Sequence, residues 1–138
     1  MTKLIIGPKG SGKTKKLIDL VLDAAEKTTG NVVCVEKGPA LTFNVPHSVR
    51  LVDTDNYGIQ GYDALYGLLC GVCAANYDVT DVFVDATLKI GGRDMDYVLT
   101  FFHRIAALAD DSNINFTFTL SCDAAELPEE IFTIAEKI

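Results

Sequence analysis

Short apolar runs recur along this chain, and most are followed by a stretch with helical spacing. "KLII" at 3–6, "NVVCVE" at 31–36, "SVRLVD" at 48–53 and "TDVFVDAT" around 81–86 are rich in β-branched residues. Such runs predict strands buried on both faces, as a parallel sheet requires. "INFTFTL" at 114–120 alternates apolar residues with Asn and Thr, a strand with one less apolar face. Between the runs the period changes. From Lys13 onward Leu17, Leu20, Val21, Ala24 and Ala25 trace one helical face, with Gly30 placed to cap its end. Residues 62–76 are nearly all apolar or small and predict a deeply packed helix. Gly67 and Gly71, four apart, would let a neighbour approach it closely. Met95, Val98, Leu99, Phe102, Ile105, Ala106 and Ala109 form a third stripe. "PEEIFTIAEKI" opens with proline and two acids, as a first helical turn does. Residues 37–47, 54–63 and 88–94 carry the turn residues and predict loops. Strands alternating with helices give an α/β fold, with a mostly parallel five-stranded sheet flanked by helices.

Composition narrows the picture without redirecting it. A chain of 138 residues, 49% hydrophobic and 22% charged, is a single globular domain spanning 1–138 rather than a disordered segment. No apolar run reaches about 18 residues, so no membrane span is expected. The first ten residues lack the pattern of a secretion signal, so a cytoplasmic protein with reduced thiols is expected. Cys70 and Cys73 form the one C-x-x-C but lie in the apolar helix without a second pair. The four cysteines therefore read as core residues rather than a zinc site. The net charge is −7. Five lysines, Lys3, Lys9, Lys13, Lys15 and Lys16, cluster near the start of this acidic chain, which suits a small anion better than nucleic acid.

The chemistry concentrates in "GPKGSGKT", residues 7–14. Gly7, Gly12, Lys13 and Thr14 satisfy G-x-x-x-x-G-K-[ST], between a predicted strand and a predicted helix. Glycines permit backbone angles that turn successive N–H groups inward to form an anion nest. The helix that follows offers its unpaired N–H groups and positive dipole end to the same point. Lys13 is placed to reach the β- and γ-phosphates, and the Thr14 hydroxyl to reach Mg²⁺. A chance match in a chain this long is on the order of one in a few hundred.

"LIIGPKGSGKT" resembles the Walker A element of P-loop NTPases, and "DVFVDA" resembles their Walker B strand, ending in Asp85. The resemblance implies a three-layer P-loop NTPase core that binds ATP with Mg²⁺. Gly7, Pro8, Lys9, Gly10, Ser11, Gly12, Lys13, Thr14 and Lys15 would surround the phosphates. Thr14 and Asp85 would serve the metal, Asp85 usually through water, and Lys13 and Asp85 are the residues the family pattern marks as catalytic. RecA-like and thymidine-kinase-like members insert a strand between the Walker A and Walker B strands. "GPKGSGKTKKLIDLV" followed by "NVVCVEKG" is similar to the opening of type II thymidine kinases.

The departures shape the functional expectation. Where those relatives commonly carry a glutamate after the Walker B aspartate, this chain has Ala86 and Thr87, and alanine cannot accept a proton. The zinc ribbon of the thymidine kinases is missing, as is the arginine-rich lid of nucleotide kinases. The main expectation is therefore an ATP–Mg²⁺ binding protein with weak or partner-dependent hydrolysis. The alternative is an ATPase or small-molecule kinase using Asp53 or Asp55 as an unusual acid; a third reading is a scaffold whose loop holds another anion or none. Ser121 is a candidate γ-phosphate sensor or a plain strand end. Arg93 is a candidate phosphate contact, an arginine finger toward a neighbouring subunit, or a solvated loop residue. His103 and Arg104 belong to the polar side of a helix. Neither nucleic acid nor membrane is expected as a partner; a homo-oligomer or a protein partner stays open.

Overall fold

The computed structural model describes residues 1–42 and 44–138; Phe43, in the predicted 37–47 loop, lies outside the described residues. The strands are β1 (Thr2–Gly7), β2 (Asn31–Glu36), β3 (Val49–Asp53), β4 (Val79–Val84), β5 (Asn115–Ser121) and β6 (Glu136–Lys137). The helices are α1 (Lys13–Lys27), α2 (Tyr62–Ala75), α3 (Thr87–Gly91), α4 (Met95–Ser112) and α5 (Ile131–Ile134), with 3-10 turns at Thr54–Tyr57 and Ala124–Glu126. All strand pairs are parallel, in the order β3-β2-β4-β5-β1-β6. The last strand in sequence before β6, β5, thus lies between β1 and β4.

Period-2 alternation divides the sheet into two faces. Ile5, Val32, Cys34 and Phe83 pack on one side with Leu17 and Val21 of α1. Leu4, Val33, Val35, Val82, Val84, Phe116, Phe118 and Leu120 pack on the other with α2, α3, α4 and α5. The second core is built on aromatic rings. Phe101, Phe102 and Phe118 meet edge to face with centroids 5.0–5.7 Å apart, a geometry worth about 0.5–1.5 kcal/mol per pair beyond burial. On β5 the residues facing α1 are Asn115, Thr117, Thr119 and Ser121, which accounts for the polar alternation in the sequence. Among the described residues no helix is long and apolar enough to cross a membrane.

Several sequence expectations are corrected. The sheet has six strands, because Glu136 and Lys137 pair with Lys3 and Leu4. The helix expected from Pro128 onward is confined to Ile131–Ile134, after which Ala135 turns extended at φ −143°. Two exposed, charged residues leave no apolar signature of a strand. Residues 88–94 are not all loop, since α3 runs through Thr87–Gly91 and buries Leu88 and Ile90; five residues are too few to show a period.

α1 ends at Lys27, where the Thr28 N–H donates to the Ala24 carbonyl, so Gly30 is not its cap. Gly30 instead passes against the Asp78 carbonyl, where any Cβ would collide with backbone. In α2 the buried positions are Tyr62, Leu65 and Leu69. Gly67 and Gly71 face outward, and a Cβ on either meets nothing within 4 Å, so they mark no close helix contact. Cys70 and Cys73 are half-buried rather than core; Cys34 and Cys122 are buried, and all four are free thiols.

Candidate functional site

β1 delivers the chain to the loop at Gly7, and α1 leaves it at Lys13. Gly10 and Gly12 adopt left-handed φ values of 82° and 87°, which L side chains rarely tolerate. Gly7 serves close approach: a Cβ there would stand 2.5 Å from Ser11 Oγ. The Ser11 N–H donates to the Pro8 carbonyl at 3.2 Å and closes the turn. Gly12 caps α1 without any side-chain hydrogen bond, and the first helical turn holds no acid. The helix therefore presents unpaired N–H groups toward the loop. Lys13 is buried, and its ammonium donates to the Pro8 carbonyl at 2.9 Å, lying across the loop rather than out in solvent. Pro8, Lys9, Gly10, Ser11, Thr14, Lys15 and Lys16 are exposed around it. Lys3 does not belong to this group. It is at the amino end of β1, where it lines a cavity of about 410 Å³ with Asp23, Lys27 and Ile138.

Asp85 follows β4 directly, on the α1 face of the sheet. Its N–H continues the ladder to the Val35 carbonyl at 2.8 Å. Thr14 Oγ1 donates to Asp85 Oδ2 at 3.3 Å, joining residues 71 apart in sequence. Thr119 Oγ1 donates to Asp85 Oδ1 at 2.6 Å and accepts the Ala86 N–H at 2.9 Å. Thr119 is 1% exposed, so this hydroxyl is a fixed part of the sheet. Ala86, the next residue, is held at φ 57°, ψ 39°, in the left-handed region where a non-glycine residue is strained. Sequence reasoning missed Thr119. The signal was available, since Thr117 and Thr119 interrupt an aromatic strand with period 2.

The remaining candidates separate around this centre. Ser121 is opposite Gly7 in the β1–β5 register, and its carbonyl accepts from Arg93 Nη1 at 3.0 Å. Arg93 also lies 3.5 Å from Glu126, so this exposed side chain is tethered at the rim beside the loop rather than freely solvated. Asp53 Oδ1 accepts the N–H groups of Gly38 at 2.8 Å and Asp55 at 3.0 Å. Asp55 pairs with Lys37 at 2.6 Å. Both acids thus hold the turns after β2 and β3, one strand or more away from Asp85. His103 pairs with Glu130, and Arg104 pairs with Asp63 while lying over the Tyr66 ring, both away from the loop.

Glu36 is a second residue that sequence reasoning passed over. It ends β2 opposite Asp53 and one step beyond the Val35–Val84 pair, on the same face as Asp85. It is 2% exposed. Burial raises its pKa above the ordinary glutamate value. The Leu41 N–H works against this, and the carboxylates of Asp53 and, less strongly, Asp85 reinforce it. Burial, with Glu36 and Asp85, likewise pushes the Cys34 thiol up to about 12, which makes it inert.

The donor set at Thr14 and Asp85 consists of one hydroxyl and one carboxylate, both hard oxygen ligands. Mg²⁺ is commonly held by one or two carboxylates, water and substrate phosphates, so these residues fit it as a partial shell that phosphate oxygens would complete. Among the described residues there is no group of three or more His, Cys, Asp or Glu placed to hold a metal ion. Comparison with protein-family models and with curated proteins finds no match to this chain.

Proposed function

We propose that this protein is a P-loop nucleotide-binding domain that holds ATP with Mg²⁺ and has weak or partner-dependent hydrolysis. The observation that carries the reading is the Thr14–Asp85 contact at 3.3 Å. It brings the helix start and the strand-end acid, taken from sequence as one metal site, within hydrogen-bond distance beneath the loop. The left-handed glycines and the uncapped N-terminus of the 15-residue α1 support the same reading. The insertion of β5 between β1 and β4 supports the RecA-like or thymidine-kinase-like branch.

The chain's own residues divide the work. Main-chain N–H groups of residues 10 and 12–15 bind the phosphates, Lys13 swings from the Pro8 carbonyl to the β- and γ-phosphates, and Thr119 orients Asp85. Mg²⁺, when bound, would neutralise phosphate charge from the side of Thr14 and Asp85. Ala86 stands where the relatives this chain resembles commonly carry a glutamate, Asp53 accepts turn N–H groups, and Asp55 is paired with Lys37. This favours binding over rapid turnover. Nucleoside triphosphate is the ligand in this proposal; the acidic surface argues against nucleic acid.

Thermal denaturation with ATP or GTP, with and without Mg²⁺, tests the proposal. At about 100 times Kd a ligand stabilises by about 2.7 kcal/mol, which is roughly 8–13 °C for a domain of this size. Mg²⁺–ATP should give such a shift in the wild type and none in Lys13→Ala, with phosphate release barely above background. No shift with any nucleotide, or brisk hydrolysis by the protein alone, refutes it.

A further inference from the structure

Among the described residues α1 is the one helix packed on the Ile5 and Phe83 face of the sheet. Its last turns leave a cavity of about 410 Å³ over the amino ends of β1, β4 and β5. The phosphate loop is at the opposite, carboxyl end of β1, and none of its residues lines this cavity.

Two opposite charges on the cavity floor lack a charged partner. Lys3 on β1 is half-buried and makes no ion pair among the described residues. Asp81 on β4 is half-buried too, and its carboxylate accepts the hydroxyl of neighbouring Thr80 at 2.8 Å through Oδ2. The two do not pair with each other because β5 stands between them. Lys3 is opposite Thr117, and Asp81 is opposite Asn115. Two strand spacings set β1 and β4 about 9–10 Å apart. The other charges of the lining, Asp23 and Lys27, pair with each other at 2.9 Å. The four charged side chains thus sum to zero, which disfavours a ligand with net charge. A partly desolvated charge without a partner is costly, and a charged group on a ligand compensates it. Between Lys3 and Asp81 the walls turn apolar: Phe83, 4% exposed, on the floor, and Leu20 and Ala24 of α1 above.

We propose that this cavity binds a small aliphatic amino acid as its zwitterion. The ligand carboxylate accepts from Lys3, its ammonium donates to Asp81, and its side chain lies against Phe83, Leu20 and Ala24. The ligand bridges two charges that the sheet holds too far apart to meet. The volume is toward the lower end of the usual range for small-molecule sites, roughly 300–1,000 Å³, so the ligand is compact. The inference does not rest on the phosphate-loop reading, and the variants below separate the two.

Isothermal titration calorimetry with L-leucine provides the test, with 4-methylpentanoate and 3-methylbutylamine as counterparts that lack the ammonium and the carboxylate. Leucine should bind the wild type, and each counterpart should bind at least about tenfold more weakly, the equivalent of about 1.4 kcal/mol. Lys3→Met keeps the stem and removes the charge, and Asp81→Asn keeps an acceptor for Thr80. Each should weaken leucine at least about tenfold while keeping the thermal response to Mg²⁺–ATP. Ala24→Leu fills the cavity from above and should weaken leucine with both charges intact. Lys13→Ala should bind leucine as the wild type does. The proposal is overturned if either counterpart binds as tightly as leucine, or if folded Lys3→Met or Asp81→Asn binds leucine unchanged. Absence of any leucine heat in the folded wild type overturns it as well. Absence of an ATP response in the wild type, with leucine binding intact, would instead count against the nucleotide reading alone.

Discussion

Replacing Thr119 with valine removes one hydroxyl and keeps the shape of the side chain, so it isolates the two hydrogen bonds that fix the end of β4. The hydroxyl donates to Asp85 Oδ1 at 2.6 Å and accepts from Ala86 N at 2.9 Å. A bond to a charged acceptor is worth about 1.5–3 kcal/mol, and an N–H left unpaired costs about 1–3 kcal/mol. Asp85 and Ala86 are only half-buried, so water recovers part of both. The expected loss for Thr119→Val is about 1.5–3 kcal/mol, or roughly 5–12 °C in Tm. Urea unfolding followed by circular dichroism, in the absence of nucleotide, measures it. A double-mutant cycle with Asp85→Ala should show a coupling of about 1–2 kcal/mol, as expected for directly bonded groups. A Thr119→Val protein within about 0.5 kcal/mol of the wild type, or effects that simply add, would mean that the hydroxyl does not hold Asp85.

Three further outcomes follow from the same geometry. Ala86→Gly should stabilise the protein by about 0.5–1 kcal/mol in urea titration. It relieves a left-handed alanine at φ 57°, less the added freedom of glycine when unfolded; destabilisation would show that the strain is absent. Gly30→Ala should destabilise by at least about 2 kcal/mol, because its Cβ would overlap the Asp78 carbonyl, a backbone atom that cannot turn aside; a melting temperature equal to the wild type would contradict this. Glu36 has a pKa raised by folding, so the wild type is favoured while that group is protonated in both states and loses stability as pH rises through its folded value. Glu36→Gln should therefore match the wild type below the ordinary glutamate range and become the more stable of the two toward neutral pH. A gap that is constant with pH would show that Glu36 titrates normally.

The local sequence was enough for the glycine loop between β1 and α1 and for most of the elements. Gly7, Gly12, Lys13 and Thr14 carry their meaning in their own backbone requirements and in the strand and helix on either side. Buried strands such as 31–36 and the long stripe of α4 declare themselves because each must present apolar groups to a core. What failed was short or charged. α3 and β6 are stabilised by what they pack or pair against, and neither is long enough to show a period. Gly67 and Gly71 fit a close helix contact equally well on paper, but which face of an all-apolar helix turns inward is decided by its neighbours.

The acid chemistry of the site shows the same division most sharply. A proton acceptor was sought next to Asp85 along the chain, where Ala86 stands, and in Asp53 and Asp55. Parallel strands instead set side by side residues that are distant in sequence. Register brings Thr119 against Asp85 and places Glu36 opposite Asp53, while turn hydrogen bonds take up Asp53 and an ion pair with Lys37 takes up Asp55. Sequence alone determined that this chain has a glycine loop between a strand and a helix, because that property is local. Only the tertiary structure decided which hydroxyls and carboxylates surround the loop and which line a different cavity, because strand order and burial depend on contacts made across the whole sheet.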